Sequence, residues 1–343
     1  MKKTLGDAAR HIINCIPPEA TEVYGVNPIC LDVASEETVR EGIVAFRGFL
    51  IRLYSVLAAN SHLYDSGKRN DEHQSAAYFD FPFIENLQRL MQSIGLNGVL
   101  GEDSIITGNE IFNSKLSNAK NMELLRFLTD CGMVINGVDF GNKRQKFSEI
   151  GSVQFFYPNN SAMLTGLKVM AIAEREFRTN RFHYILMRCD YRVLMVEQPS
   201  VTTILKELIA PLPVSVQVFV LKMHRRHIGK GFDCTVHVWG FWVKIKHSHG
   251  KKELWGVNAS VNQGYKINVK ADNALKYANA ISDFPWAVQE LIAKGHGCGR
   301  KRFGTCDAGC EGLQIPLDNS VLKNKDGIDT WFEYELSCLR KRQ

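Results

Sequence analysis

Between residues 35 and 58, apolar side chains fall at Val39, Ile43, Phe46, Leu50, Leu53 and Leu57, three or four positions apart. That spacing predicts a helix with one face in a core. Ser35 can cap it, and Glu36 and Glu37 suit its positive first turn. Pro82 predicts the opening of a second helix over 83–94, closed by Gly95, and 121–130 reads as a third, stopped by Gly132. The polar stretch 60–77 reads as a loop or linker. Short strands are expected at 133–140 and 152–157, a helix capped by Asn160 to about Glu176, a strand at 182–188 and a helix at 199–210.

The segment 214–228 fits two patterns. Its β-branched residues favour a strand, but Val216, Phe219, Val220, Met223 and His227 share a helical face. Pro213 before it, Arg225, Arg226 and His227 in its last turn and Gly229 after it decide for a helix. Three strands are expected next. Val243 and Ile245 alternate with Lys244 and Lys246, and Tyr265, Ile267 and Val269 alternate with Lys266, Asn268 and Lys270. This is the period of a half-buried antiparallel sheet with lysines on its outer face. Helices over 271–281 and 283–294 would cover the other side, the second opened by Pro285 and stopped by Gly295. The predicted class is therefore α+β: a mostly helical N-terminal half with short strands, then a small antiparallel sheet covered by helices. The break Pro211-Leu212-Pro213 suggests domains at 1–212 and 213–343.

Composition sharpens the second half. The 343 residues are 45% hydrophobic and 23% charged, ordinary for a globular protein, with a formal charge of +6. Residues 1–212 hold 22 basic against 24 acidic residues, whereas 213–343 hold 20 against 12, together with all five tryptophans and six of the ten histidines. A basic half points to an acidic partner such as nucleic acid, or to a solvated basic face. Unbroken apolar runs reach about eight residues where a membrane span needs roughly 20, so no membrane role is expected. Met1-Lys2-Lys3 meets Gly6, Asp7 and Arg10 before any apolar run, which fits no secretory signal and implies a cytoplasmic address. Nine cysteines in a reducing compartment read as thiols or metal ligands rather than as a disulfide scaffold.

The most distinctive chemistry follows Gly295. Cys298, Cys306 and Cys310 stand in a glycine-rich basic loop, with His296 two residues ahead and Cys338 on the terminal helix. Zinc takes four thiolate or imidazole donors in a tetrahedron, and three of these thiols with His296 or Cys338 would meet that count. The spacing matches no paired Cys-x-x-Cys template, so unligated thiols or an iron–sulfur cluster stand beside zinc as readings. Arg300, Lys301 and Arg302 do not make a phosphate cradle, because the loop leaves a helix C-terminus, where the partial charge is negative. They would complement that end or meet an acidic partner. Trp242, Lys244 and Lys246 share one strand face with Lys266 and Lys270 near them, an aromatic among lysines as single-stranded nucleic acid binding uses. The alternative is a tryptophan on the core and lysines that keep the sheet soluble.

Histidine pairs 224/227 and 247/249 lack the His-Glu-x-x-His pattern, and the second flanks Gly250-Lys251-Lys252, so both read as structural or solvent-facing. No nucleophile elbow, phosphate-binding Gly-x-x-x-x-Gly-Lys loop or kinase set is present, and Cys189, Asp190 and His183 are near neighbours in sequence only. The C-terminal third, from Asp283-Phe284-Pro285 through Gly295-His296-Gly297-Cys298-Gly299 to Cys306, Cys310 and Ile315-Pro316-Leu317-Asp318, resembles uncharacterised proteins of Gram-positive anaerobic bacteria. The resemblance implies a bacterial cytosolic origin and no particular activity. The sequence thus leads to a binding protein with a zinc-stapled basic module for an acidic ligand. Its rivals are an enzyme with a Cys/His site between the halves and a purely structural or regulatory partner.

Overall fold

The computed structural model describes residues 4–64, 81–142, 145–179, 183–261, 263–269, 278–295 and 313–340. The fold is α+β. It divides into two compact units, residues 1–199 with 239–241, and residues 200–238 with 242–343. Pro211-Leu212-Pro213 lies inside the second unit, between two of its helices.

The first unit is built on helices α1 (Leu5–Cys15), α2 (Glu36–Ala59), α3 (Pro82–Asn97), α4 (Asn118–Asp130) and α5 (Ala162–Phe177). Helix α1 has no counterpart in the expectations from sequence. Its signal is the pair Thr4 and Asp7, which cap each other's backbone N–H groups in a capping box. Helix α2 begins as expected on Ser35, whose hydroxyl accepts from the Thr38 N–H. It is long and apolar enough to cross a membrane by length and composition alone. Its stripe from Val39 to Leu57 is buried, however, while Glu37, Glu41 and Arg52 are exposed, the pattern of a core helix. Gly42 on α2 meets Gly166 on α5 so closely that a Cβ at 42 would lie 2.8 Å from the Gly166 nitrogen. Beside the helices lies an antiparallel sheet of β1 (Val99–Leu100), β2 (Ser104–Thr107), β3 (Val134–Asn136) and β4 (Val153–Phe156), in the order β1-β2-β4-β3.

One expectation for this unit fails. The segment 182–188 is not a strand: its described part, from 183, winds through turns into a short 3-10 helix, Tyr191–Leu194. Arg188, Cys189 and Asp190 donate their backbone N–H groups to carbonyls three to five residues back, a local pattern that leaves no ladder. Its apolar residues Tyr184, Ile185, Leu186 and Met187 are all buried, so alternation gave no guide. Of the presumed linker 60–77, Asn60 closes α2, Ser61–Tyr64 forms a helical turn and 65–77 lies outside the described residues.

The second unit is a five-stranded antiparallel meander where three strands were expected: β5 (Asp233–Trp239), β6 (Trp242–His249), β7 (Lys252–Ser260), β8 (Gly264–Val269) and β9 (Leu313–Pro316). Cross-strand register lines up Ile245, Val257, Ile267 and Ile315 in one row across four strands. That row faces helices α6 (Val201–Ile209), α7 (Val214–Ile228) and α9 (Lys325–Arg340), which contribute Leu205, Val220, Met223, Trp331 and Phe332 to a single apolar core. Helix α8 (Trp286–Gly295) adds Val288. Of the expected helix 271–281, only Ala278–Ile281 falls in the described residues.

Candidate metal centre

Three apolar stripes of the second unit each carry a residue that is not apolar. On α7, Val216, Val220 and His224 follow one another four apart. On β6, Val243, Ile245 and His247 alternate onto the core face, and on β5, Cys234, Val236 and Val238 alternate likewise. Helix packing on the sheet brings the three odd residues together. His224 is 1% exposed and His247 fully buried, while Cys234 is half-buried.

The donors converge tightly. His224 Nδ1 lies 2.8 Å from His247 Nε2, and Cys234 Sγ lies 3.5 Å from His247 Nε2 and 4.0 Å from His224 Nδ1. One ligand atom from each residue falls within 4.8 Å of the others, so the group can hold a metal ion. A tetrahedral zinc, with Zn–N of about 2.0–2.1 Å and Zn–S of about 2.3 Å, sets edges of about 3.3 Å between nitrogens and about 3.6 Å between nitrogen and sulfur. The observed triangle needs shifts of about half an ångström to meet those edges. Comparison with protein-family models, curated proteins and solved structures found no match to the chain.

The surroundings orient the rings. The Thr202 hydroxyl lies 2.8 Å from His224 Nε2, the nitrogen turned away from the cluster, which is the outer-shell contact a ligating imidazole uses. The His247 ring stacks on the Trp255 indole at 3.8 Å between centroids and 5° between planes, and its Nδ1 has no hydrogen-bond partner among the described residues. Nearby, His227 is turned to its own helix, with Nδ1 2.8 Å from the Met223 carbonyl oxygen, and it does not join the group.

Protonation follows from burial. Burial pulls His247 down to about 2, with the neighbouring His224 and His227 acting in the same direction. Burial lowers His224 too, helped by Arg225. Both imidazoles are therefore neutral near pH 7, with lone pairs to offer. Burial pushes the Cys234 thiol up to about 12, so the metal-free protein keeps its proton and an ion must displace it.

The sequence placed the metal elsewhere. Among its proposed ligands, only Cys338 lies in the described residues, as a buried thiol within the apolar core. His296, Cys298, Cys306 and Cys310 lie outside them, as do Lys270, Arg300, Lys301 and Arg302. The two histidine pairs, read as structural or solvent-facing, each give one member to the cluster. His247 was legible from its place two residues beyond Ile245, and His224 from its place four beyond Val220; no local motif marks Cys234.

The proposed ligand face is present as a row, since register sets Lys244, Asn258 and Lys266 side by side. Lys244 pairs with Glu253 at 2.6 Å, both side chains being only 12% exposed. Lys266 donates to Gln314 Oε1 at 2.9 Å. Trp242 and Lys246 are half-buried beside them. Two lysines of this face are thus spent on internal contacts.

Proposed function

We propose that the chain is a zinc-binding protein in which His224, Cys234 and His247 hold one ion that ties α7 to β5 and β6. The observation that carries this reading is the convergence of two neutral buried imidazoles and a thiol, from three separate elements, on one point. Nitrogen and sulfur donors together suit zinc, a borderline-soft cation, better than magnesium or calcium, which take oxygen. With three protein donors, a fourth tetrahedral position is left to water or an external ligand. Binding of the ion replaces the hydrogen bond between the two imidazoles, releases the Cys234 proton and adds its binding free energy to the stability of the unit.

Elemental analysis of the purified protein is expected to give about one zinc per chain. Cys234→Ser and His247→Ala should lose the metal, and Cys306→Ser should keep it. The reverse pattern, with Cys306→Ser losing zinc and the other two retaining it, would move the metal to the C-terminal cysteine loop.

A further inference from the structure

A second thiol and imidazole meet in the first unit, independently of the metal centre. His11 and Cys15 stand four apart at the C-terminal end of α1, so they share one side of the helix. Cys15 Sγ lies 3.4 Å from His11 Nε2, and the same nitrogen lies 3.0 Å from the carbonyl oxygen of Phe241, a residue of the same unit. A carbonyl oxygen only accepts, so Nε2 carries the hydrogen. The sulfur beside it cannot donate its own proton there and stands as a second acceptor of that N–H, a position that suits a thiolate.

The charges around the pair favour the same state. Arg188 is 1% exposed and donates from Nη2 to Asp190 Oδ2 at 3.1 Å, while its Nε and Nη1 have no hydrogen-bond partner among the described residues. Arg192 shares the same carboxylate, donating from Nε to Oδ1 at 2.6 Å. The Asp190 carboxylate therefore faces two guanidinium groups, one of them fully buried. Burial would push the Cys15 thiol up, but the His11 imidazolium, with Arg188 and Arg192, outweighs it and holds Cys15 below the ordinary thiol range. Burial would lower His11, and the charge and hydrogen bond of Cys15 reverse that. Tyr54 packs in the same surroundings but gives its hydroxyl hydrogen to the Met187 carbonyl. A helix C-terminus opposes a nearby anion, so the cations alone stabilise this one. The chain beyond is pinned, with Arg47 donating to the Pro17 carbonyl and Tyr191 to that of Pro18.

We propose that Cys15 is a redox site whose thiolate, held by His11 and Arg188, reduces a small uncharged hydroperoxide and becomes a sulfenic acid. The sulfur attacks one peroxide oxygen, the S–O bond forms as the O–O bond breaks, and sulfur is oxidised while the peroxide is reduced. The departing hydroxide takes the His11 proton and leaves as water, so a thiolate and an imidazolium become a sulfenic acid and a neutral imidazole. Burial narrows the reagent: at 8% exposed, Cys15 suits a small peroxide and not a bulky substrate.

The test is site-resolved mass spectrometry of the full-length protein pulsed with hydrogen peroxide, quenched, and unfolded in the presence of a sulfenic-acid trap, so that the trap reaches every thiol alike. Cys15 should be labelled well ahead of Cys30 and Cys131, buried thiols that burial pushes up to about 11 and about 12. Its rate should stay flat between about pH 6 and 8, where an ordinary thiol gains roughly tenfold per pH unit. His11→Gln should restore that steep dependence. A Cys15 rate no greater than that of Cys30, or a tenfold climb per pH unit in the unaltered protein, would overturn the proposal without recourse to any variant.

Discussion

A fully buried neutral imidazole pressed flat on an indole cannot accept a proton without losing most of its solvation. His247 is in that position, which ties the stability of the second unit to pH. Its folded value lies near 2 and its unfolded value near 6.5, so the unfolded chain binds the proton first as pH falls. The associated stability is complete above about pH 6.5 and drains away on acidification towards the folded value. At pH 5 the loss from His247 alone is about 2 kcal/mol. Denaturant unfolding of the metal-free protein, followed by tryptophan emission, should show the midpoint falling between about pH 7 and 5, and His247→Phe should flatten that fall. An unchanged slope in the variant would contradict the assignment. At this scale the sequence was half legible. Period two already put His247 on the core face of its strand, yet the nearby Gly250-Lys251-Lys252 turn drew attention to its exposed end. His224 was hidden differently, because a helical stripe in an isolated sequence does not reveal which strand it will meet.

Elements were easier to read than their partners. Helices α2, α3, α4 and α7 announce themselves by apolar spacing and by Ser, Pro or Gly at their ends, since these signals are local. Two misses share one cause. Tyr184 to Met187 are apolar and all buried, so no alternation marks the turns that they enter, and β5 carries apolar residues that are only half-buried, so its stripe is weak. Contacts between elements lie beyond any local signal. Nothing near Gly42 or Gly166 in sequence shows that α2 and α5 touch there, although the close approach depends on both residues lacking a Cβ. Gly166→Ala, an otherwise helix-favouring change, should therefore cost about 1–3 kcal/mol of stability in the first unit as the helices are forced apart. Calorimetry that found the variant equally stable or more stable would show that this crossing tolerates a methyl group.

At the scale of the whole molecule, the sequence separated a basic second half from a near-neutral first half, and the structure gives each unit its own core and its own pairing of a thiol with imidazole. In the second unit a thiol and two neutral imidazoles suit a soft cation; in the first, a thiol beside an imidazole, with two guanidinium groups near, suits an anion. The difference lies in the neighbours, as burial without a cation pushes Cys234 up while cations hold Cys15 down. X-ray absorption at the zinc edge reads the donor set of the metal directly. The His224, Cys234 and His247 site predicts one sulfur at about 2.3 Å with two imidazole nitrogens at about 2.0–2.1 Å. A shell of three or four sulfurs would contradict it and would place the ion among the cysteines beyond Gly295.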